Sequence, residues 1–188
     1  MIFHETPLAG CVVVERQPHG DDRGYFVRTF CEQEFAAHGL PMKIAQTSLS
    51  FSAQKATLRG LHFQAAPLLE DKLVSCLKGT IFDVMVDLRP GSPTFGRWFG
   101  TELSESNNRL LWSAKGFAHG FQTLSEDCLV AYSIGEFYAA EKSAGVRWDD
   151  ADIAVAWPLP PSNQSPRDLA LPALKDLDLA QLVGSGGT

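Results

Sequence analysis

The chain alternates apolar and polar residues in short runs broken by turn residues, with almost no sustained helical period. Residues 11–15 (CVVVE) are β-branched and predict a strand. A turn follows over 19–24, then a second strand over 25–30 with aromatic content. Residues 32–38 (EQEFAAH) predict a short helix stopped by Gly39 and Pro41. Residues 44–51 alternate again, so that Gln46, Ser48 and Ser50 share one face. Further strands are expected over 58–64, 72–77, 80–88, 96–103, 110–113, 116–124 and 130–138, separated by turns such as Lys78-Gly79 and the long turn 89–94. From Ala139 the pattern becomes loop-like, with a short helix around 174–182 and a frayed Gly-rich tail over 184–188.

Many short strands at regular spacing, with little helix, predict an all-β fold: a double-sheet jelly roll of the cupin kind, a double-stranded β-helix with short C-terminal helices. A length of 188 residues suits one domain, 1–188, with a loop and helix over 158–183 closing it. The net charge of −6 argues against a nucleic-acid partner, while leaving room for a local basic pocket. Cys11, Cys31, Cys76 and Cys128 are widely spaced with no C-x-x-C pair, which predicts reduced thiols in a cytoplasmic protein. No secretory signal pattern is present, and no apolar stretch approaches the ~20 residues needed to span a bilayer. A membrane partner is therefore not expected.

Candidate chemistry concentrates at two histidines. Leu58-Arg59-Gly60-Leu61-His62-Phe63-Gln64 reads as a strand with Arg59, Leu61 and Phe63 on one face and Leu58, His62 and Gln64 on the other. Gly60 suggests a close approach to the backbone, which marks a ligand-facing wall. Gly116-Phe117-Ala118-His119-Gly120-Phe121 repeats the signal downstream. A metal-binding cupin supplies an H-x-H unit, yet here the unit is His62-Phe63-Gln64, and an amide oxygen is a poor ligand for metals that suit imidazole. Glu70 and His119 remain as scattered donors, so no metal and no other cofactor are expected. Without metal the histidines work as acids, bases or donors. Lys72, Tyr132, Tyr138 and Asp168 supply a cation, phenols and a carboxylate, which are the components of proton abstraction alpha to a carbonyl. Taken singly, each tyrosine also fits half-buried packing, and Asp168 a helix cap.

Read together, Asp21-Asp22-Arg23-Gly24-Tyr25-Phe26, RGLHFQ, KLV at Lys72, DVMVDLRPGSPTFG from Asp83 to Gly96, GFAHGF, and Tyr132 through Tyr138 resemble the dTDP-4-dehydrorhamnose 3,5-epimerase family. The resemblance runs from about residue 11 to residue 157 with the motifs colinear. It implies a metal-free cupin jelly roll that dimerises by exchanging N-terminal strands. It also implies inversion at C3, and usually C5, of a nucleotide-linked 4-keto-6-deoxyhexose, with dTDP-4-dehydro-6-deoxyglucose the first candidate substrate. By resemblance His62 is the general base, Asp168 its paired carboxylate and Tyr132 the acid on the opposite face. Lys72, assisted by His119, is the cation near the C4 oxygen. Arg59, Gln46, Tyr138 and, from the partner subunit, Arg23 and Phe26 match positions that hold the nucleotide and its phosphates.

The chain departs from the family pattern at several places. Arg28 stands for the usual glutamate, Thr47-Ser48 for aspartate-asparagine, Ala114 for proline and Arg167 for lysine. Positions 28 and 48 belong to the nucleotide-holding set, so they bear on which base is accepted. A C3-only epimerase, a ketoisomerase and a non-catalytic sugar-binding cupin are the alternatives. The retained base, cation, tyrosine and carboxylate argue against the last, because a binder needs no base.

Overall fold

In the computed structural model, which describes residues 1–184, the alternating runs become strands β1 (Ile2–Glu5), β2 (Cys11–Glu15), β3 (His19–Asp21), β4 (Gly24–Phe26), β5 (Gln46–Ser52), β6 (Leu58–Gln64), β7 (Lys72–Lys78), β8 (Thr80–Asp87), β9 (Trp98–Ser104), β10 (Arg109–Ser113), β11 (Phe117–Thr123), β12 (Cys128–Ile134) and β13 (Ser143–Gly145). The short helices are α1 (Glu32–Ala37), α2 (Pro166–Leu169) and α3 (Leu179–Leu182). One sheet runs β1-β2-β10-β7-β12-β5 and the other β13-β6-β11-β8-β9, while β3 and β4 form a separate hairpin. All the pairings within the two sheets are antiparallel. Two facing antiparallel sheets with long crossings between them make the expected jelly roll.

Period-two patterning decides what each face buries. Val13, Val74, Cys76, Ile81, Met85, Leu103, Leu111, Phe117, Phe121 and Val130 turn inward and form the core between the sheets. The opposite faces are covered separately. Phe35 of α1, with Leu40 and Met42, lies over Val12, Val14, Leu73, Leu110 and Trp112. Ile153, Leu174 and Val183 from the C-terminal third lie over Leu61, Phe63, Val84 and Val86. The inward layer therefore ends in chemistry at one place, where Tyr132 packs on the edge of this core.

Asp87 explains the motif around it. Its buried carboxylate accepts from Arg89 Nε (2.8 Å), Ser92 Oγ (2.6 Å) and Thr94 Oγ1 (2.7 Å), and the Arg89 guanidinium lies 4.6 Å from the Phe117 ring centre. These hydrogen bonds outweigh burial and hold Asp87 below the usual carboxylate range. The SPTFG turn is thus a scaffold.

Three expectations need correction. The strand expected over 25–30 reaches only Phe26, because the residues read as a turn, His19–Asp21, pair with Gly24–Phe26 as a hairpin, whose Arg23 amide is tied to Asp21 Oδ1 (2.9 Å). The strand expected over 130–138 ends at Ile134. There Gly135 N donates to Asp71 O, and glutamine side chains replace the ladder. The helix expected over 174–182 is a 3₁₀ turn, Leu174–Asp176, followed by α3, restarted by Asp178 accepting from Gln181 N (3.2 Å). The frayed tail expected over 184–188 falls, beyond Gly184, outside the described residues.

Candidate active site

A β-bulge aims the first motif. Strand β11 pairs His119 with His62 but Phe121 with Arg59, so the register slips between them. Arg59 and His62 consequently share the inward face, which corrects the alternation expected for RGLHFQ. Gly60 carries a φ of +124°, and a Cβ there would sit 2.6 Å from Gly120 Cα. The close approach read from Gly60 is that of the neighbouring strand, and no side chain other than hydrogen fits.

The resulting cavity, about 310 Å³, is lined by Ser50, Arg59, His62, His119, Phe121, Tyr132, Ser165, Arg167 and Asp168. Both of its histidines are paired with a carboxylate, His62 with Asp168 at the cavity wall and His119 with Asp83 behind it. His62 Nε2 lies 2.6 Å from Asp168 Oδ1. Asp168 is buried, but hydrogen bonds from His62, from Ser165 and from the Gly60 amide, with the attraction of His62, outweigh that burial and hold it below the usual range. An ionised Asp168 draws the imidazole proton to Nε2 and leaves Nδ1 free to accept another. Residue 168 reaches His62 because α2 is capped by Ser165, whose Oγ accepts from Asp168 N (3.1 Å), and Pro166 follows at the first helical position.

The second pair is His119 Nε2 with Asp83 Oδ1, at 2.7 Å. Asp83 is fully buried and its Oδ2 has no hydrogen-bond partner among the described residues. Desolvation pushes its carboxyl up, against the pull of His119 and Lys72. The Tyr132 ring meets His119 edge-on, 5.6 Å between centres at 80°. Burial, with the nearby Asp83 charge, pushes the Tyr132 phenol well above its ordinary value, so it carries its proton at neutral pH. A group kept protonated there can donate and does not act as a base.

Lys72 sits slightly apart from these groups. Its Nζ forms an ion pair with Glu70 (2.8 Å) and donates to His62 O (3.3 Å), behind the cavity wall. Arg59 donates to Ser52 Oγ and to Phe51 O, both at 3.1 Å. Arg167 bonds Ser143 Oγ at 2.6 Å. Gln46 Oε1 accepts from Tyr138 N (2.9 Å), Ser48 lies opposite Tyr132 in the ladder, and Tyr138 is exposed. Arg23 and Phe26 lie on the exposed hairpin and do not line this cavity. Arg28 pairs with Glu34 (3.0 Å), whose carboxylate also takes the N-terminal ammonium.

No role at the site was read along the chain for Asp83, Phe121 or Ser165. Ser50 does line the cavity, on the polar face that alternation set for β5, and Glu70, weighed only as a scattered metal donor, pairs with Lys72 instead. Asp83 carried a usable signal, a carboxylate at an inward position between Ile81 and Met85 of an apolar strand. Gln64, which stands where a metal cupin has histidine, is committed to backbone: Nε2 donates to Leu68 O and Phe137 O, and Oε1 accepts from Ala139 N. Among the described residues no group of three His, Cys, Asp or Glu is arranged around a metal ion, and no helix is long and apolar enough to cross a membrane.

A jelly roll whose inner wall carries a carboxylate-backed histidine, a protonated tyrosine and a second histidine defines an acid–base enzyme of the cupin class. A family model described as dTDP-4-dehydrorhamnose 3,5-epimerase matches residues 5–176. A dTDP-4-dehydrorhamnose 3,5-epimerase of Sinorhizobium fredii is 40% identical over 96% of this chain and 93% of its own length. The structure of a dTDP-6-deoxy-D-glucose-3,5-epimerase from Legionella pneumophila Philadelphia 1, in complex with dTDP-4-keto-L-rhamnose, superposes with a TM-score of 0.92 at 37% identity, covering 99% of both chains. A dTDP-4-dehydrorhamnose 3-epimerase of Streptomyces niveus is 36% identical over 86% of this chain and 78% of its own length. The chain belongs to the dTDP-4-dehydrorhamnose 3,5-epimerase family.

Proposed function

We propose that this protein is an epimerase that inverts C3 and C5 of dTDP-4-dehydro-6-deoxyglucose, a step in deoxysugar biosynthesis. The observation that carries the reading is the convergence of the His62–Asp168 pair and the protonated Tyr132 in one cavity. The C4 ketone acidifies the protons on the two carbons beside it. His62 Nδ1 removes one, and Asp168 stabilises the imidazolium that forms. The resulting enolate oxygen is met by donors at the wall, with His119 in the cavity and the Lys72 ammonium behind it. Tyr132 returns a proton to the opposite face, which completes the inversion. Each proton transfer is typically worth ~10²–10⁴-fold.

The nucleotide end is assigned to Arg59, Gln46, Ser48, Tyr138 and Arg167, with Arg23 and Phe26 of the partner subunit closing the site. The hairpin supports that assignment to a homodimer, since Tyr25 and Phe26 are 68% and 75% exposed on a segment that does not line its own cavity. Sedimentation at micromolar concentration is expected to give a dimer; a fully active monomer would overturn the exchange.

Turnover of dTDP-4-dehydro-6-deoxyglucose in deuterium oxide tests the chemistry. Two deuterons in the recovered sugar, at C3 and C5, are expected. A single deuteron at C3 would make this a C3-epimerase like the Streptomyces niveus relative, and none would end the epimerase reading.

A further inference from the structure

The cavity opens between two strands that belong to different sheets. Strand β5 ends one sheet, and β6 faces it from the other with only the short β13 beyond it. Arg59 of β6 closes one end of this slot by donating to Ser52 Oγ and Phe51 O of β5. The other end is closed by the segment that leaves β12. There Gln46 of β5 accepts from Tyr138 N at 2.9 Å, and Gln64 of β6 accepts from Ala139 N at 2.8 Å. Gln64 also donates to Phe137 O at 3.0 Å and to Leu68 O at 2.7 Å. Three consecutive backbone positions are thus gripped from both sheets at once, while the Phe137 and Tyr138 rings stay 68% and 61% exposed. Gln64 is itself 3% exposed, so its amide is spent on this grip.

We propose that Gln64 and Gln46 are positioning residues for substrate binding: together they clasp residues 137–139 across the slot and hold the exposed aromatic pair at its end. This rests on the nucleotide-sugar reading above. From Gln46 to Ser50, the last β5 residue at the cavity, is about 13 Å of extended strand. A sugar held beside His62 would therefore place a diphosphate and nucleoside along the slot toward the clasp. The clasp orders a surface that would otherwise be ordered by the ligand, at a cost in affinity. It touches no reacting atom, so its loss weakens ground state and transition state alike.

The test compares Gln46→Ala, Gln46→Glu and Gln64→Ala with wild type, measuring dTDP affinity by calorimetry and kcat and KM with dTDP-4-dehydro-6-deoxyglucose. Both alanine variants are expected to raise Kd for dTDP and KM about tenfold while kcat stays within about threefold. Gln46→Glu keeps the oxygen that Tyr138 N needs and is expected to recover most of the affinity. That recovery separates a clasp from a direct contact of the Gln46 amide N–H with the base. An unchanged dTDP Kd in Gln46→Ala, a loss confined to kcat, or no recovery in Gln46→Glu would each overturn the proposal. Gln46 lies on an edge strand away from the buried core, so its arms decide the matter even where Gln64→Ala fails to fold. Calorimetry with dTDP needs no turnover, so it reads the clasp even where the deuterium experiment fails.

Discussion

The two histidine–aspartate pairs have nearly the same hydrogen bond, 2.6 Å for His62–Asp168 and 2.7 Å for His119–Asp83, and opposite surroundings. The His62 side chain is 35% exposed to the cavity, whereas that of His119 is 6% exposed. Asp168 is held low against its burial by the hydrogen bond and attraction of His62, with smaller help from Ser165 and the Gly60 backbone. Asp83 takes the His119 bond on Oδ1 while its Oδ2 has no partner among the described residues, and burial pushes it up. The same residue pair thus becomes, in one place, a carboxylate held low behind a cavity-exposed imidazole and, in the other, a carboxyl pushed up behind a buried one. Solvation and hydrogen-bond count, rather than residue type, divide the labour.

The comparison breaks most sharply at His62. His62→Asn is expected to lower C3 proton exchange by at least about 10³-fold, because the imidazole proposed as the base is gone. Near-normal exchange by NMR in deuterium oxide would require another base. Tyr132→Phe comes next: product inversion should fall about 10²-fold while exchange continues, since deprotonation no longer leads to delivery on the other face. Parallel loss of both would make Tyr132 structural. The two aspartates then sharpen the contrast directly. Asp168→Asn is expected to cost about 10²-fold in kcat by misorienting the imidazole, and Asp83→Asn about tenfold, since asparagine still accepts from His119. Equal losses would erase the distinction.

Stability against pH offers a smaller but independent reading. Asp168 has a depressed folded pKa, so its contribution is present above the usual carboxylate range and is lost as pH falls through the folded value. Asp83 has a raised folded pKa, so stability falls as pH rises from about 4 through that higher value. Asp83→Asn should flatten the second slope in urea titrations between pH 4 and 8 and leave the acid limb in place; an unchanged slope would show that Asp83 is ionised throughout. The smallest effect is expected at Arg28. Because it is paired with Glu34 in its own chain, Arg28→Ala should alter relative kcat/KM across dTDP-, UDP-, CDP- and GDP-linked substrates by less than about threefold. A larger shift would return Arg28 to the base-reading set.

Much of this was legible along the chain, and the reason is local. Strand positions follow from alternation between turn residues, because side chains two apart must share a face. Cys11–Glu15, α1, β5 and β6 stand where the pattern predicts them, and the motifs marked the family. Long-range facts were not legible from spacing or alternation. Only the family resemblance joined Asp168 to His62, 106 residues away, and the fold brings the two within 2.6 Å. The slip between His119 and Phe121 that turns Arg59 toward His62 exists only when β6 lies against β11. Whether Asp83 or Asp87 serves the site was equally open: both are buried carboxylates of β8, yet Asp87 is consumed by Arg89, Ser92 and Thr94, and Asp83 faces His119. Residue type and spacing determined which groups were available. Only the packing of the two sheets decided which became base, donor or scaffold, because solvation and hydrogen-bond partners are properties of a place in the fold.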